Sequence, residues 1–126
     1  MIHIACCFDR RFEILFVVLA HSIARHTRAP VTIHALHDGP TPLAMQHAPR
    51  SANMRVEFQD IGARYEKIEV NGPQSVVTYA RFILPEILAG IDGGLYLDVD
   101  MLTRRDLGAL YETDLEGKAL GAVIDH

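Results

Sequence analysis

The sequence predicts an α/β fold with a mainly parallel sheet and helices on both faces. Short apolar runs rich in β-branched residues alternate with segments whose apolar residues recur every three or four positions. Acidic residues follow several of the apolar runs, where the carboxyl ends of parallel strands meet. A chain of 126 residues is one domain at most.

The first half of the chain shows this alternation most clearly. Asp9 is a suitable N-cap for the first helix, whose apolar stripe begins at Phe12, and Pro30 ends that helix. Pro42 suits the first position of a short helix, because no backbone N–H is needed there. The predicted elements are a strand over 2–7, a helix over 10–27, a strand over 31–36, a helix over 42–48 and a strand over 56–58.

The second half has shorter runs between more turn signals. Gly93 and Gly94 precede an apolar run that ends at Asp98-Val99-Asp100, which predicts a strand of about five residues. Pro85 interrupts or restarts the helix before it. The predicted elements are a strand over 68–70, a turn at 71–73, a helix over 75–89, the Asp-Val-Asp strand, a short turn over 107–111 and a final strand over 119–124.

Composition and charge exclude several classes of protein. A hydrophobic content of 49% and a charged content of 22% argue against disorder. The net charge of −4 gives no support to nucleic-acid binding. No window has the roughly 18 consecutive apolar residues of a membrane span, and no basic segment precedes the apolar start. The sequence therefore predicts neither a transmembrane segment nor a signal peptide.

The two cysteines, Cys6 and Cys7, are adjacent in the first predicted strand. Neighbouring strand residues point to opposite faces, so a disulfide between them would be strained. We expect both to be small buried residues in a reducing environment, which predicts a cytoplasmic location. Among the seven histidines, only His37, beside Asp38 at a strand exit, is a candidate for a site.

The pair Asp98 and Asp100 is the strongest chemical signal in the chain. In an extended segment, residues two apart point the same way. Two carboxylates about 5 Å apart repel by roughly 3 kcal/mol at an effective dielectric near 20. Mg²⁺ or Mn²⁺ would turn this repulsion into binding, and such ions often also hold substrate phosphates. The alternative is that these carboxylates form a solvated turn or cap the next segment.

Chance alone predicts roughly 0.6 Asp-x-Asp matches in a chain with nine aspartates, so context must support the motif. Asp9, His37-Asp38 and the Asp-Val-Asp motif all lie at predicted strand exits, where parallel sheets bind ligands. The first exit, Phe8-Asp9-Arg10-Arg11, has no glycine. This argues against a dinucleotide-binding fingerprint and a P-loop.

Several segments together resemble family-8 glycosyltransferases, a group that includes glycogenin and the bacterial lipopolysaccharide galactosyl- and glucosyltransferases. The resemblance runs through the whole chain, and two of its motifs together are much more specific than either alone. The matching segments are Ile2-His3-Ile4-Ala5-Cys6-Cys7-Phe8-Asp9, Thr78-Tyr79-Ala80-Arg81-Phe82, Leu95-Tyr96-Leu97-Asp98-Val99-Asp100, and Asp114-Leu115 before Gly121-Ala122.

The resemblance implies a GT-A (Rossmann-like) fold, a UDP-glucose or UDP-galactose donor, a saccharide or glycolipid acceptor, and Mn²⁺ (or Mg²⁺). It also implies that the reaction retains the anomeric configuration. By position, Asp98 and Asp100 would bind the metal, and Arg81 would contact the donor sugar and diphosphate. Alternatively, Arg81 is a helix-surface residue paired with one of those aspartates. The donor-binding residues implied are Ala5, Cys6, Cys7, Phe8, Asp9, Arg81, Asp98 and Val99.

The chain departs from the family pattern in two respects. Many members have an acidic pair at the first strand exit, where this chain has Phe8-Asp9 followed by Arg10-Arg11. Phe8 either stacks against a base or fills the core. Family members are also considerably longer, and their second half supplies sugar-binding residues, the acceptor site and a histidine metal ligand.

We therefore interpret residues 1–126 as the nucleotide-sugar-binding half of a single GT-A domain, from a truncated or partial sequence. The complete enzyme would be a hexosyltransferase of the kind used in lipopolysaccharide biosynthesis, with no catalytic nucleophile identified in this half. Alone, the half is expected to be inactive in transfer and to self-associate through exposed apolar surface. The alternatives are a non-catalytic nucleotide- and metal-binding remnant and a metal-dependent nucleotidyltransferase.

Overall fold

The computed structural model describes residues 1–65 and 76–124 and contains the predicted parallel sheet. Its strands are β1 (Ile2–Asp9), β2 (Val31–Asp38), β3 (Met54–Asp60) and β4 (Leu95–Tyr96). All neighbouring pairs are parallel, and the strand order is β3-β2-β1-β4. The strand expected over 68–70 and the turn at 71–73 lie outside the described residues.

Helices connect these strands and cover both faces of the sheet. Asp9 accepts the Arg11 backbone N–H at 2.9 Å and so caps the first helical turn, as its position predicts. The helices are α1 (Glu13–His26), α2 (Pro42–His47), α3 (Gly62–Tyr65), α4 (Leu84–Ile87) and α5 (Gly108–Tyr111), with 3₁₀ helices at Arg10–Phe12 and Val76–Ile83. Within the described ranges, no helix is long and apolar enough to cross a membrane.

The core has a cluster on each face of the sheet. One cluster includes Cys6, Phe16 and Ile33, and the other includes Cys7, Leu36 and Ala80. Alternation along β1 places the two cysteines in different clusters, as predicted, and both thiols are free. The sheet is therefore covered by α1 on one face and by the 3₁₀ helix Val76–Ile83 on the other.

The register brings the carboxyl ends of the strands to one edge. Asp9 lies beside Asp38 on the neighbouring strand, and Asp60 lies beside the residue before Asp38. β4 pairs with β1 over only two residues, and the Leu97 N–H then donates to the carbonyl of Ala5 at 3.0 Å. The chain leaves the sheet directly after this bond, so β4 is shorter than the five residues that we expected.

The segment from Val76 to Ile87 is not the single α-helix predicted over 75–89. It is a 3₁₀ helix over Val76–Ile83, followed by the four-residue α4. Pro85 lies in the first turn of α4, where its missing N–H costs no hydrogen bond, so it restarts the helix. Apolar spacings of three residues suit both helix types, which is why the sequence pattern did not separate them.

The final strand predicted over 119–124 is absent. Residues 119–124 carry no strand hydrogen bonding, and Leu120, Val123 and Ile124 are exposed. An apolar extended segment becomes a strand only when a neighbouring strand pairs with its backbone. In the part of the chain that the structure describes, no strand lies against this segment.

Candidate functional site

A cleft of about 190 Å³ lies at the carboxyl edge of the sheet, between the exits of β1 and β4 and the 3₁₀ helix Val76–Ile83. Parallel sheets bind ligands at this edge because the loops there are held by strands on either side. The cleft is lined by Cys7, Phe8, Asp9, Phe12, Val77, Thr78, Arg81, Tyr96, Asp98, Val99 and Asp100.

Asp98 and Asp100 both line the cleft, but they do not lie on an extended strand as the motif predicted. The Met101 N–H donates to the Asp98 carbonyl at 3.2 Å, which closes a turn over residues 98–101. Val99 is buried in the core between the two exposed aspartates. This buried side chain anchors the turn, so both carboxylates stay at the cleft without strand geometry.

Tyr96 and Arg81 surround Asp98. The Tyr96 hydroxyl donates to Oδ1 of Asp98 at 3.0 Å, and an Arg81 Nη2 lies 3.9 Å from the same oxygen. The Arg81 guanidinium also lies over the Tyr96 ring, 5.3 Å from its centroid. Arg81 therefore lines the cleft and pairs loosely with Asp98, as one of the two alternatives has it, and its contact with a donor stays a prediction.

Burial sets the protonation of the groups under this cluster. It raises the pKa of the Cys7 thiol to about 12, against a smaller lowering by a hydrogen bond from Tyr96. The raised pKa of Cys7 favours the neutral thiol at physiological pH, which is the less nucleophilic form. Burial likewise raises the pKa of Tyr96, and the nearby Cys7 and Asp98 raise it further. The Tyr96 hydroxyl therefore stays protonated and able to donate.

At the β1 exit, Asp9 is held by a neighbouring arginine. Nη2 of Arg11 donates to Oδ2 of Asp9 at 2.7 Å, and the Arg11 guanidinium lies 5.7 Å from the Phe12 ring centroid. Phe12 is 42% exposed and lines the cleft. The sequence assigned Phe12 to the buried stripe of the first helix, but the 3₁₀ turn Arg10–Phe12 precedes α1 and takes this ring off the buried face.

Three residues that the resemblance assigns to donor binding are buried. Ala5 and Cys6 are buried and do not line the cleft. Phe8 borders the cleft, but it is 1% exposed and its ring stacks on Phe16 at 4.5 Å. Phe8 therefore fills the core, and Phe12 is the most exposed of the aromatic residues that line the cleft.

His37 and Asp38 do not join the cleft lining either. His37 is buried, and its Nδ1 donates to the Gly39 carbonyl at 2.8 Å, which holds the turn after β2. Of the acidic residues predicted at strand exits, Asp9, Asp98 and Asp100 meet at the cleft, and Asp38 lies apart.

The two aspartates of the turn fit part of a divalent-metal site. Carboxylate oxygens are the ligands that Mn²⁺ and Mg²⁺ prefer, and both side chains are exposed at the cleft. Over residues 1–65 and 76–124, no group of three or more metal-binding side chains comes together. Asp98 and Asp100 would therefore need further ligands, such as donor phosphates or water.

Comparison with known proteins assigns the family. The sequence matches the Glycosyl transferase family 8 profile over residues 3–126. The chain belongs to this family. A probable galacturonosyltransferase 6 from Arabidopsis thaliana is 43% identical over 73 residues, which are 56% of this chain and 12% of that protein. A probable galacturonosyltransferase 13 from the same plant is 36% identical over 59 residues, 45% of this chain and 11% of that protein.

Solved structures of glycosyltransferases share the fold. An active-site mutant of LgtC is 31% identical, with a TM-score of 0.82 over 98% of this chain and 46% of that chain. The galactosyltransferase LgtC in complex with donor and acceptor sugar analogs is 29% identical, with a TM-score of 0.75 over 90% of this chain and 43% of that one. This family-8 chain therefore has a GT-A type fold, and it spans less than half the length of LgtC.

Proposed function

We propose that residues 1–126 form the donor-binding half of a retaining glycosyltransferase. In the whole protein, this half would present a UDP-sugar, with glucose or galactose as the sugar, to a saccharide or lipopolysaccharide-type acceptor in the presence of Mn²⁺. The observation that carries the proposal is the single cleft that brings together the β1 exit, Arg81, Asp98 and Asp100.

Each cleft residue has a chemical role in this proposal. The exposed Phe12 ring at the β1 exit offers an apolar face to a uracil base. Arg81, which is half exposed, directs a guanidinium into the cleft, where its fork of N–H donors suits diphosphate oxygens. Asp98 and Asp100 would hold Mn²⁺, which when bound would offset the negative charge of the departing UDP.

The proposal also concerns which kind of sugar the donor carries. LgtC is a galactosyltransferase, whereas the Arabidopsis relatives are probable galacturonosyltransferases. The cleft has one arginine and three aspartates in its lining, which gives a sugar carboxylate little electrostatic support. We therefore favour a neutral hexose over a uronic acid.

The proposal is tested by calorimetric titration of UDP into the chain with and without Mn²⁺. We expect UDP to bind more tightly with Mn²⁺, and the Asp98→Asn, Asp100→Asn double variant to lose this gain. Asp92→Asn is a matched control, because Asp92 is exposed and precedes β4, at the opposite end of that strand from the cleft. A metal-dependent gain that survives in the double variant would contradict the assignment of these aspartates.

Nucleotidyl transfer is the second candidate reaction, because the cleft would also accept a metal-bound nucleoside triphosphate. Incubation with UTP and a hexose 1-phosphate distinguishes the two reactions. A nucleotidyltransferase releases pyrophosphate, and we expect none from this chain. Tighter Mn²⁺-dependent binding of UDP-galactose than of UDP-galacturonic acid would support a hexose donor.

A further inference from the structure

Tyr96 makes contacts to two of the residues that the proposed function uses. Its hydroxyl donates to Oδ1 of Asp98 at 3.0 Å, and its ring lies under the Arg81 guanidinium at 5.3 Å. Both the Tyr96 bond and the Arg81 approach at 3.9 Å are made to Oδ1, so neither uses Oδ2 of Asp98. The tyrosine therefore supports one oxygen of the Asp98 carboxylate, and neither Tyr96 nor Arg81 occupies the other.

The position of Tyr96 is itself fixed by the sheet. It is the last residue of β4 and pairs with Ala5 on β1, so its backbone has little freedom. Tyr96 also packs against the core cluster that contains Cys7 of β1. A residue anchored in this way can restrict the rotamers of Asp98, which lies outside the strand in an exposed position.

We propose that Tyr96 is a positioning residue for metal and donor binding: its hydroxyl orients Asp98 for a divalent cation, and its ring orients Arg81 for the donor diphosphate. This inference rests on the proposed function. A hydrogen bond to a ligating carboxylate fixes its orientation, and loss of such a partner typically weakens metal binding about 10- to 100-fold. Because Asp98 is half exposed, we expect the lower end of that range.

The test measures Mn²⁺ affinity by electron paramagnetic resonance, which reports free Mn²⁺ directly and does not depend on catalysis. Tyr96→Phe removes only the hydroxyl and should weaken Mn²⁺ binding about tenfold. Tyr111→Phe is the matched control, because the Tyr111 hydroxyl donates to the Gly93 carbonyl at 2.7 Å, away from the cleft lining. We expect this control to bind Mn²⁺ as the unmodified chain does.

A second variant separates the role of the ring from that of the hydroxyl. Tyr96→Phe keeps a ring under Arg81, whereas Tyr96→Leu removes it. At saturating Mn²⁺, UDP affinity should be nearly unchanged in Tyr96→Phe and reduced in Tyr96→Leu. Thermal unfolding of all variants is measured in parallel, because a merely structural role would lower the melting temperature without a selective loss of Mn²⁺ or UDP affinity.

The outcomes separate this inference from the proposed function. If the unmodified chain binds no Mn²⁺, both the proposed function and the role of Tyr96 are wrong. If Asp98→Asn loses Mn²⁺ binding while Tyr96→Phe binds as tightly as the unmodified chain, the role of the hydroxyl is wrong and the proposed function stands. Unchanged UDP affinity in Tyr96→Leu would overturn the role of the ring.

Discussion

Residues 1–60 and residues 76–124 differ in how much regular secondary structure they contain. The first region contains strands of 8, 8 and 7 residues with a continuous parallel ladder and a 14-residue helix. The second contains a strand of two residues and two α-helices of four residues each. Yet the second region supplies Arg81, Asp98 and Asp100 to the cleft. A regular sheet thus positions a site whose chemical groups lie partly on a short 3₁₀ helix, which carries Arg81, and partly on the turn that carries the two aspartates.

A few contacts tie the second region to the first. The Thr103 N–H donates to the buried hydroxyl of Ser22 on α1 at 2.9 Å, and the carboxylate of Asp106 accepts the Arg28 N–H at 2.9 Å. Val99 and Leu107 insert into the core cluster under α1. The positions of the aspartates at the cleft therefore depend on these anchors together with the short pairing of β4 with β1.

Among the variants that compare the two regions, Phe16→Ala in the first region should lose the most stability. Phe16 is fully buried, and its ring contacts Phe8 at 4.5 Å and Phe58 at 5.7 Å between ring centroids. Removal of the ring should cost about 3–5 kcal/mol in free energy of unfolding, measured by urea denaturation.

Leu120→Ala is the contrasting variant in the second region. Leu120 is 72% exposed, so its truncation should change the free energy of unfolding by less than about 0.5 kcal/mol. Equal destabilisation by Phe16→Ala and Leu120→Ala would mean that Leu120 is packed in solution. It would contradict the difference in packing between the two regions.

Gly62→Ala should have an intermediate effect. A Cβ on Gly62 would lie 2.5 Å from Oδ1 of Asp38 and 3.2 Å from Oδ1 of Asp60, so both carboxylates would have to move. Because both atoms are the ends of flexible side chains that can turn aside, we expect a loss of about 1 kcal/mol, measured by thermal and urea unfolding. The same substitution in an Asp38→Ala background should cost less, because the closer obstacle is gone.

Gly93→Ala is the matched control in the second region, since nothing lies within 4 Å of a Cβ placed there. We expect a change below about 0.5 kcal/mol. A cost at Gly93 equal to that at Gly62 would show that the second region is as tightly packed as the turn after β3.

The smallest effect concerns the pH dependence of stability in the first region. Burial lowers the pKa of His34 below its ordinary 6.5, Glu57 partly opposes this, and His3 lowers it further. The folded state therefore binds fewer protons than the unfolded state near this pH. The contribution of His34 is complete above pH 6.5 and is lost as the pH falls through the lower folded-state pKa.

Urea unfolding between neutral pH and about pH 5 measures this dependence. Glu57→Gln should steepen the loss of stability on acidification, because it removes the carboxylate 3.4 Å from Nδ1 of His34. His34→Gln should make the loss shallower. An identical slope in all three proteins would show that His34 titrates as it does in the unfolded chain.

The sequence predicted the first region well because β1 and β2 bury apolar runs on both faces and β3 alternates polar with apolar residues. The run Val31–Asp38 in β2 carried enough β-branched residues to mark a strand, and Asp9 was correctly predicted as a cap. The adjacent cysteines were placed on opposite faces by alternation alone. In such segments, local propensity and the tertiary fold favour the same structure.

The second region was predicted less well because its structure depends on tertiary contacts. The turn at Asp98–Met101 forms around the buried Val99, and residues 119–124 lack a strand to pair with in the described part of the chain. Phe12 leaves the buried face because a 3₁₀ turn precedes α1, and Phe8 takes the second of its two expected roles by filling the core. None of these features has a signature in residue spacing alone. The donor, the metal, the cytoplasmic location and self-association stay predictions.

The central claim is that the cleft between β1 and β4 binds a divalent cation through Asp98 and Asp100. Titration of paramagnetic Mn²⁺ into the ¹⁵N-labelled chain tests it directly, because amide signals close to the ion broaden selectively. We predict the earliest broadening at Asp98 and Asp100, weaker broadening at Asp9 and at Asp38 beside it, and a retained signal at the amino end of the sheet, at Val31. The broadening should disappear in the Asp98→Asn, Asp100→Asn variant. Uniform broadening, or broadening centred on Asp38 and Asp60, would contradict the assignment of the metal to this cleft.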